Sequence, residues 1–407
     1  MKKGEKMKAL VLSGGGSKGA YQIGAWKALR ELNQKFDIVV GTSVGALNGA
    51  MVVQKDYRKA LNVWKKINLK VLFGEDAINT NNNFELYKMY SKQFIKNGGM
   101  NVDDLEAIIR KNLNLKKFYS SKINYGLVTY NLTTKKPVEI EKKDIKKEKL
   151  ADYIMASATC FPAFKKKDIA GEEYIDGAYH DNLPINFAIN MGATEIIAID
   201  LNAPGLKKQP KANANTKITY IRPKNKLTNF LNFYEKGTIN NIKYGYNDTM
   251  KTFGKFEGNK YTFRKNCLEK NKNLYKDTFL YTINKVLKYK KIIKTFEKLI
   301  KTDISIDHEL KDELIEKLMN RIMESLAKSF ELKDTRIYTH TSFNKALKSK
   351  LKKYIKAEKE TNISLNKKEV DFYKDIKNGN LSELRKKALL NPIDLLKAIY
   401  LYTICEA

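Results

Sequence analysis

Two short apolar segments near the N-terminus each lead directly into a glycine-rich turn and then into a helical pattern. The first segment, residues 8–13, is followed by three consecutive glycines, and the second, residues 37–40, is followed by Gly41-Thr42-Ser43-Val44-Gly45. A buried strand followed by a helix is typical of βαβ units, in which parallel strands end at one edge of the sheet. The sequence therefore predicts two adjacent parallel strands that bring both turns to the same edge.

The alternation of strand and helix continues through the first half of the chain. Further strands are predicted at residues 123–130, 195–200 and 217–221. Beyond about residue 254 the pattern changes to successive amphipathic helices, predicted at residues 278–300, 308–330 and 343–356. We therefore expect an α/β fold: a three-layer α/β/α core around a mostly parallel central sheet in residues 1–253, and an α-helical C-terminal region in residues 254–407.

The chain is strongly basic, with 77 Lys and Arg against 45 Asp and Glu and a formal net charge of +32. Most of this excess lies in residues 201–407. A field of this sign attracts anionic membranes or nucleic acid, although lysine and asparagine are abundant everywhere, so compositional drift is an alternative. No nucleic-acid-binding signature accompanies the charge, and no nucleic acid is expected as a partner. Residues 343–356 could face an anionic membrane or pack on the core.

Neither a metal site nor a cofactor is predicted. The three cysteines lie far apart without CxxC spacing, which argues against disulfides and zinc. The apolar run at residues 9–12 is too short for a signal peptide, and no segment approaches the ~18 apolar residues of a membrane span. We expect a cytoplasmic protein, whose contact with the inner surface of the membrane would be peripheral.

Ser43 stands at the centre of a GxSxG motif between a strand and a helix. A nucleophile elbow needs this spacing because the turn is tight and the residues two positions away must lack a side chain. The hydroxyl then lies at a helix N-terminus, where partial positive charge favours a developing oxyanion. The motif predicts Ser43 as a nucleophile, with an elbow completed by Gly41, Val44 and Gly45.

The first glycine-rich turn, residues 14–19, matches the GxGxxG of dinucleotide-binding turns. That function would require an acidic residue at the end of the next strand. The next strand instead ends at Gly41-Thr42-Ser43. A glycine-rich turn with free N–H groups is also suited to an oxyanion hole, or to a plain anion-binding loop.

Asp176-Gly177-Ala178 is a candidate for the loop that carries the base. The chain has three histidines, at His180, His308 and His340. A Ser-Asp-His arrangement could use either of the last two, but both lie in or beside the lysine-rich helical region, where a surface histidine is the simpler interpretation. His180 is expected to line the loop. A Ser43–Asp176 dyad is the simplest account.

Together, these three motifs resemble the signatures of the patatin-like phospholipase family. Residues 156–164 and 182–184 are similar to the segments that flank the family's Asp loop, and Gly245-Tyr246 falls where its core closes. The resemblance covers about residues 7–253. It implies a patatin-like core and a lipid acyl hydrolase of phospholipase A or lysophospholipase type, acting on lipid or phospholipid esters.

Carried over by position, the resemblance makes Ser43 the nucleophile and Asp176 its base. It assigns the oxyanion hole to Gly14, Gly15, Gly16, Lys18 and Gly19, and the Asp loop to Gly177 and Ala178. Lys18 stands where arginine is common in the family, which keeps the charge but loses the bidentate fork. The alternative from another class is a non-enzymatic scaffold whose basic C-terminus engages an anionic membrane, nucleic acid or a protein partner.

Overall fold

A computed structural model of the chain describes residues 6–73, 82–287, 312–361, 367–388 and 390–406. The chain divides into two compact units, Met1–Thr252 and Phe253–Ala407. The first unit has the strands β1 (Met7–Leu12), β2 (Ile38–Thr42), β3 (Asn124–Asn131), β4 (Lys136–Glu141), β5 (Lys167–Ile169), β6 (Glu172–Asp176), β7 (Ala193–Ile199) and β8 (Lys217–Ile221).

The helices of the first unit lie between and after these strands. They are α1 (Ala20–Glu31), α2 (Val44–Val53), α3 (Tyr57–Lys66), α4 (Leu69–Phe73), α5 (Asn83–Asn97), α6 (Asp103–Asn112), α7 (Leu115–Ser120), α8 (Leu150–Ser157), α9 (Ile185–Asn190) and α10 (Glu235–Thr252). Short 3₁₀ turns occupy Gly16–Gly19 and Gly177–Tyr179, the two segments that follow β1 and β6.

The eight strands form one sheet in the order β5-β6-β3-β2-β1-β7-β8, with β4 also paired to β3. The strands β3, β2, β1, β7 and β8 are parallel to one another, whereas β4, β5 and β6 pair antiparallel. The predicted mostly parallel sheet is therefore confirmed. The antiparallel strands were not predicted, because their half-exposed polar sequences lack the apolar run of a central strand.

Helices cover both faces of this sheet. Ile38 and Val40 of β2 pack in one cluster with Phe187 of α9. Val39 points to the opposite face, as successive strand residues must, and lies against α2, where a Cβ added to Gly49 would be 3.1 Å from its Cγ1. The expected three-layer α/β/α core is confirmed, and it explains why β2 is buried at all five positions.

The arrangement of strands along β3 decides the position of the candidate base. β4 pairs with residues 126–131 and so occupies one edge of β3. β2 and β6 must share the other edge: β2 ends with Thr42 opposite Val128, and β6 ends with Asp176 opposite Thr129. The ends of these two strands therefore meet, and Ser43 and Asp176 follow at the junction.

Glycines let α1 and α10 touch backbone to backbone. A Cβ on Gly24 would lie 1.8 Å from the Ile242 carbonyl oxygen, and one on Gly245 would lie 1.9 Å from the Tyr21 carbonyl oxygen. Gly245 thus serves this helix contact. The Tyr21 hydroxyl adds a buried hydrogen bond to Asp248, at 3.1 Å.

The second unit is mainly helical. Its helices are α11 (Cys267–Leu287), α12 (Asp312–Ser329), α13 (His340–Thr361), α14 (Lys368–Asn378), α15 (Leu381–Ala388) and α16 (Pro392–Glu406). A small sheet of β9 (Phe256–Glu257), β10 (Thr262–Arg264) and β11 (Ile337–Tyr338) was not predicted. Residues 288–311, which include parts of two predicted helices and His308, lie outside the described residues.

The basic helix predicted at residues 343–356 lies within α13. Its apolar face is buried: Phe343, Leu347 and Leu351 belong to the core of the second unit. This face is therefore occupied by packing within the second unit, as the alternative of a helix packed on the core expects. Among the residues that the structure describes, no helix has the length and hydropathy needed to cross a bilayer.

Candidate active site

Ser43 occupies the strained turn between β2 and α2. Its backbone has φ +56° and ψ −128°, a region that L residues rarely adopt. Gly41 and Gly45 make the turn possible. A Cβ on Gly45 would lie 2.2 Å from the Leu12 carbonyl oxygen, and one on Gly41 would lie 2.3 Å from the backbone of Gly45. The steric demand inferred from the GxSxG spacing is thus visible in the backbone contacts.

A second serine holds the elbow in place. The backbone N–H of Ser43 donates to Ser157 Oγ at 2.9 Å, and the Ser157 hydroxyl donates to the Val128 carbonyl at 2.6 Å. Ser157 is the last residue of α8 and is buried. Sequence reasoning noted the segment around it but gave it no role, because only the packing of α8 against β3 brings it to the turn.

The glycine-rich loop after β1 lies beside the elbow. The N–H of Gly14 already has acceptors within the protein. It donates to the backbone carbonyl of Asn182 at 3.1 Å and to the side-chain Oδ1 of the same residue at 3.0 Å. Among the described residues, the N–H groups of Gly15 and Gly16 have no protein acceptor. Gly16 has φ +52°, and a Cβ there would lie 2.1 Å from the Phe230 carbonyl oxygen. Two free donors therefore remain beside Ser43.

Two other members of the predicted oxyanion hole lie elsewhere. The Lys18 ammonium donates to the Asn202 carbonyl at 3.1 Å, and burial, with Lys207 nearby, lowers its pKa. Gly19 is packed: a Cβ there would lie 2.4 Å from Val44 Cγ2 and 2.8 Å from the Trp64 ring. Lys18 thus braces the loop after β7, and Gly19 allows the close approach of α2 and α3.

A buried polar network fixes the glycine-rich loop. Trp64 Nε1 donates to Asn48 Oδ1 at 2.9 Å, and the Asn48 amide donates to Gln22 Oε1 at 2.8 Å. Gln22 in turn donates to the Ser13 carbonyl at 2.7 Å. Because every member is paired, the network favours one arrangement of α1, α2, α3 and the loop.

Asp176 is buried at the end of β6, next to the elbow. Its Oδ1 accepts the Ala178 N–H at 2.8 Å, and the Ser43 side chain lies next to the carboxylate. Burial raises the pKa of Asp176 from 3.8 to about 6, and the Ala178 N–H and the nearby Ser43 hydroxyl oppose the rise because they stabilise the carboxylate. Gly177 is required here, since a Cβ would lie 2.1 Å from the Val128 carbonyl oxygen.

No histidine among the described residues lines the cavity at Ser43. His180 points away from it, with Nε2 at 2.5 Å from Lys208 Nζ and 3.5 Å from Glu139 Oε1. Burial, followed by Lys208, lowers the pKa of His180. His340 lies in the second unit, and His308 lies outside the described residues.

Ser43 and Asp176 open into a cavity of about 570 Å³. Its walls are mostly apolar and include Leu47, Trp64, Ile67, Leu105, Phe164 and Phe233. These residues come from several helices and loops that are distant in the sequence, so no motif indicated them. An apolar cavity with a few convergent polar groups at one end is typical of a ligand-binding site. Within the described part of the chain, no cluster of potential metal ligands is present.

Comparison with known proteins finds one matching family model and several relatives. Residues 10–189, which include all three motifs, match the family model of patatin-like phospholipase. Patatin-like phospholipase domain-containing protein 6 from Homo sapiens is 29% identical over 203 residues, covering 48% of this chain and 13% of that protein. Lysophospholipase nte1 from Aspergillus terreus is 26% identical over 200 residues, covering 48% of this chain and 12% of that protein.

The match therefore spans only a small part of these relatives' length. Among solved structures, VipD from Legionella pneumophila has a TM-score of 0.43 and 14% identity, covering 98% of this chain and 91% of that chain.

Proposed function

We propose that this chain, whose residues 10–189 match the family model of patatin-like phospholipase, hydrolyses lipid acyl esters through a Ser43 acyl-enzyme. The observation that carries this proposal is the position of Ser43, in a strained turn next to the buried Asp176 carboxylate, at the end of an apolar cavity. A nucleophile activated by a neighbouring base, beside free backbone donors, is the arrangement that acyl transfer requires.

In this mechanism Asp176 takes the proton of the Ser43 hydroxyl as Oγ attacks the ester carbonyl. The negative charge that develops on the carbonyl oxygen is stabilised by the N–H groups of Gly15 and Gly16, since each such donor is worth ~2.7–4 kcal/mol of the barrier. The protonated Asp176 then donates its proton to the leaving alkoxide. Asp176 then takes a proton from a water molecule as it attacks the acyl-enzyme carbonyl. The bond from this carbon to Ser43 Oγ breaks, Asp176 returns the proton to Oγ, and the fatty acid leaves.

The substrate class follows from the cavity. Its volume of about 570 Å³ and its apolar walls suit a long acyl chain, whose burial is favourable by ~0.8 kcal/mol per methylene. The polar end at Ser43 would hold the ester, and the head group would remain outside. We therefore propose a phospholipid or lysophospholipid ester as the substrate, in line with the lysophospholipase named among the relatives.

Activity is expected to depend on pH through Asp176. Because the base must be ionised and its pKa is raised to about 6, kcat/KM should be low below pH 6 and rise to a plateau above it. The measurement is the pH profile of kcat/KM for a neutral, soluble p-nitrophenyl ester.

Asp181 provides a matched control for this profile. Burial also raises its pKa to about 6, but its carboxylate accepts the Leu183 N–H at 3.1 Å and does not line the cavity. Asp181→Asn should therefore leave the rise near pH 6 in place. A rise that disappears in Asp181→Asn would contradict the assignment of this titration to Asp176.

The proposed function is tested by covalent labelling and by substrate length. A fluorophosphonate should inactivate the esterase with one label per chain, and mass spectrometry should find that label on Ser43. Lysophosphatidylcholine with a long acyl chain should be hydrolysed with a kcat/KM at least about tenfold above that of an acetyl ester, because the cavity buries the methylenes. A chain that is neither labelled nor active on either ester would instead support the scaffold hypothesis.

A further inference from the structure

Helix α5 exposes an unusual number of large apolar side chains. Phe84, Tyr87 and Ile95 are 73%, 72% and 84% exposed. Their spacing of three and eight residues places them on one face of the helix. The opposite face, with Leu86, Met89 and Tyr90 among others, is buried. The helix is therefore anchored by one apolar face and presents a second one to solvent.

The buried face of α5 lies directly behind the cavity. The Tyr90 hydroxyl donates to the Leu231 carbonyl at 3.1 Å, and the Tyr90 ring lies 6.5 Å from that of Phe164, measured between centroids. Leu231 and Phe164 both line the cavity at Ser43. One residue layer thus separates the exposed face from the space in which the acyl chain is proposed to bind.

The exposed apolar surface continues from α5 to the mouth of the cavity. Phe94, also exposed on α5, packs edge-to-face against Phe161, with ring centroids 5.9 Å apart. The carbonyl of Phe161 accepts the Tyr179 hydroxyl at 2.6 Å. Tyr179 and Leu206 are both exposed and both line the cavity. An apolar path through Phe94, Phe161 and Tyr179, whose last step is the hydrogen bond of Tyr179, therefore leads from the helix to the entrance.

Lysines border this surface. Lys88, Lys92 and Lys96 follow one another every four residues along α5, beside the apolar face, and all three are exposed. Within the described residues, no carboxylate pairs with them. Exposed aromatic and aliphatic side chains next to a row of unpaired lysines are typical of a helix that lies in the interface of an anionic bilayer. A protein interface would more often deplete its centre of lysine.

We propose that Phe84, Tyr87, Phe94 and Ile95 form a docking surface that inserts into the interface of an anionic phospholipid bilayer. In this arrangement the apolar path to Tyr179 and Leu206 lies against the bilayer, so that a lipid could pass into the cavity without crossing water. The choice of a lipid surface rests on the proposed function, because a lipid hydrolase must obtain its substrate from such a surface.

The proposal is tested by vesicle sedimentation in a Ser43→Ala background, which prevents hydrolysis during the assay. The probes are vesicles of phosphatidylcholine alone and of phosphatidylcholine with phosphatidylglycerol. Tyr87→Ser/Ile95→Ser should weaken binding to the anionic vesicles at least about tenfold, because two apolar side chains no longer leave water. Lys88→Gln/Lys92→Gln/Lys96→Gln should weaken it by at least about tenfold as well and abolish the preference for anionic over neutral vesicles.

The matched control is Leu274→Ser/Tyr281→Ser on α11. These two side chains are 59% and 67% exposed, so the same classes of apolar side chain are removed from a different helix. Vesicle binding should change by less than about twofold, because only apolar area withdrawn from water contributes to interfacial binding. Equal losses in both double variants, or no loss in Tyr87→Ser/Ile95→Ser, would overturn the docking surface.

Two further readouts separate this proposal from its rivals and from the proposed function. Sedimentation analysis in the absence of lipid should give the same mass for the parent and for Tyr87→Ser/Ile95→Ser; a dimer that the substitution dissociates would assign the surface to a second copy instead. A chain that binds vesicles through α5 but hydrolyses no soluble ester would refute the esterase assignment alone. A chain that hydrolyses the ester but binds vesicles independently of α5 would refute the docking surface alone.

Discussion

Ser43→Ala is expected to lower kcat/KM for any ester substrate by at least about 10⁴-fold, since removal of a nucleophile leaves only the contribution of the oxyanion donors and binding. The fold should persist. Alanine keeps the backbone N–H that donates to Ser157 Oγ, and the glycines that admit the turn are unchanged. The measurements are kcat/KM for a soluble ester and the denaturation midpoint.

Ser120→Ala is the matched control for this variant. Ser120 ends α7, and its hydroxyl donates only a long hydrogen bond, 3.4 Å, to the Lys117 carbonyl. It should keep parent activity and labelling. If Ser43→Ala retained a tenth or more of the parent kcat/KM, the acyl-enzyme mechanism would be wrong.

Asp176→Asn is expected to lower kcat/KM by at least about 10³-fold, because the amide has no basic oxygen to accept the Ser43 proton. The same substitution should stabilise the first unit. The folded pKa of about 6 exceeds the ~3.9 of an unfolded aspartate, so the folded state binds the proton more tightly. The stabilising contribution of the carboxyl is therefore complete below pH ~4 and is lost as the pH rises through about 6.

Above pH 6, then, the ionised Asp176 lowers the free energy of unfolding, by about 3 kcal/mol for a shift of this size. Asparagine stays neutral and can still accept the Ala178 N–H. Asp176→Asn should raise the denaturant midpoint near pH 8 and lose this advantage near pH 4. Tryptophan fluorescence reports this unit selectively, because Trp26 and Trp64 are the chain's two tryptophans.

An Asp176→Asn variant with parent activity would refute the assignment of Asp176 as the base for Ser43. One that is inactive but equally destabilised at both pH values would indicate a structural role for Asp176, and loss of catalysis could then not be assigned to its basicity.

The local features of the site could be predicted because their causes are local. Gly41 and Gly45 indicate the elbow because no side chain fits beside the backbone of the neighbouring strand and helix. The short apolar runs indicate β1 and β2 because helices cover both faces of the sheet, so that every position of these central strands favours an apolar residue. The strands β4, β5 and β6 escaped prediction, because their half-exposed polar sequences leave no apolar pattern. The exposed face of α5 could not be predicted either, because only the tertiary packing decides which apolar residues of a helix stay exposed.

Within the glycine-rich loop, the structure separates residues that the motif grouped together. Five residues were grouped there as one oxyanion hole on the basis of a motif. Their contacts separate them: Gly14 donates to Asn182, Lys18 to Asn202, and Gly19 packs against Trp64, while Gly15 and Gly16 keep free N–H groups. A motif records which residues a site needs, and the tertiary contacts decide which of them face the ligand.

By itself the sequence determined the parallel α/β core, the strained turn at Ser43 and the order of the three motifs, because glycine sterics and the alternation of apolar segments act over a few residues. Only the tertiary structure brought Asp176 to Ser43. That contact exists because β2 ends at Thr42, opposite Val128, and leaves the edge of β3 free from Thr129 onward, where β6 pairs and ends at Asp176. The registers of β2 and β6 on β3 are set by the packing of the whole sheet, and the raised pKa of Asp176 follows from the burial that this packing creates.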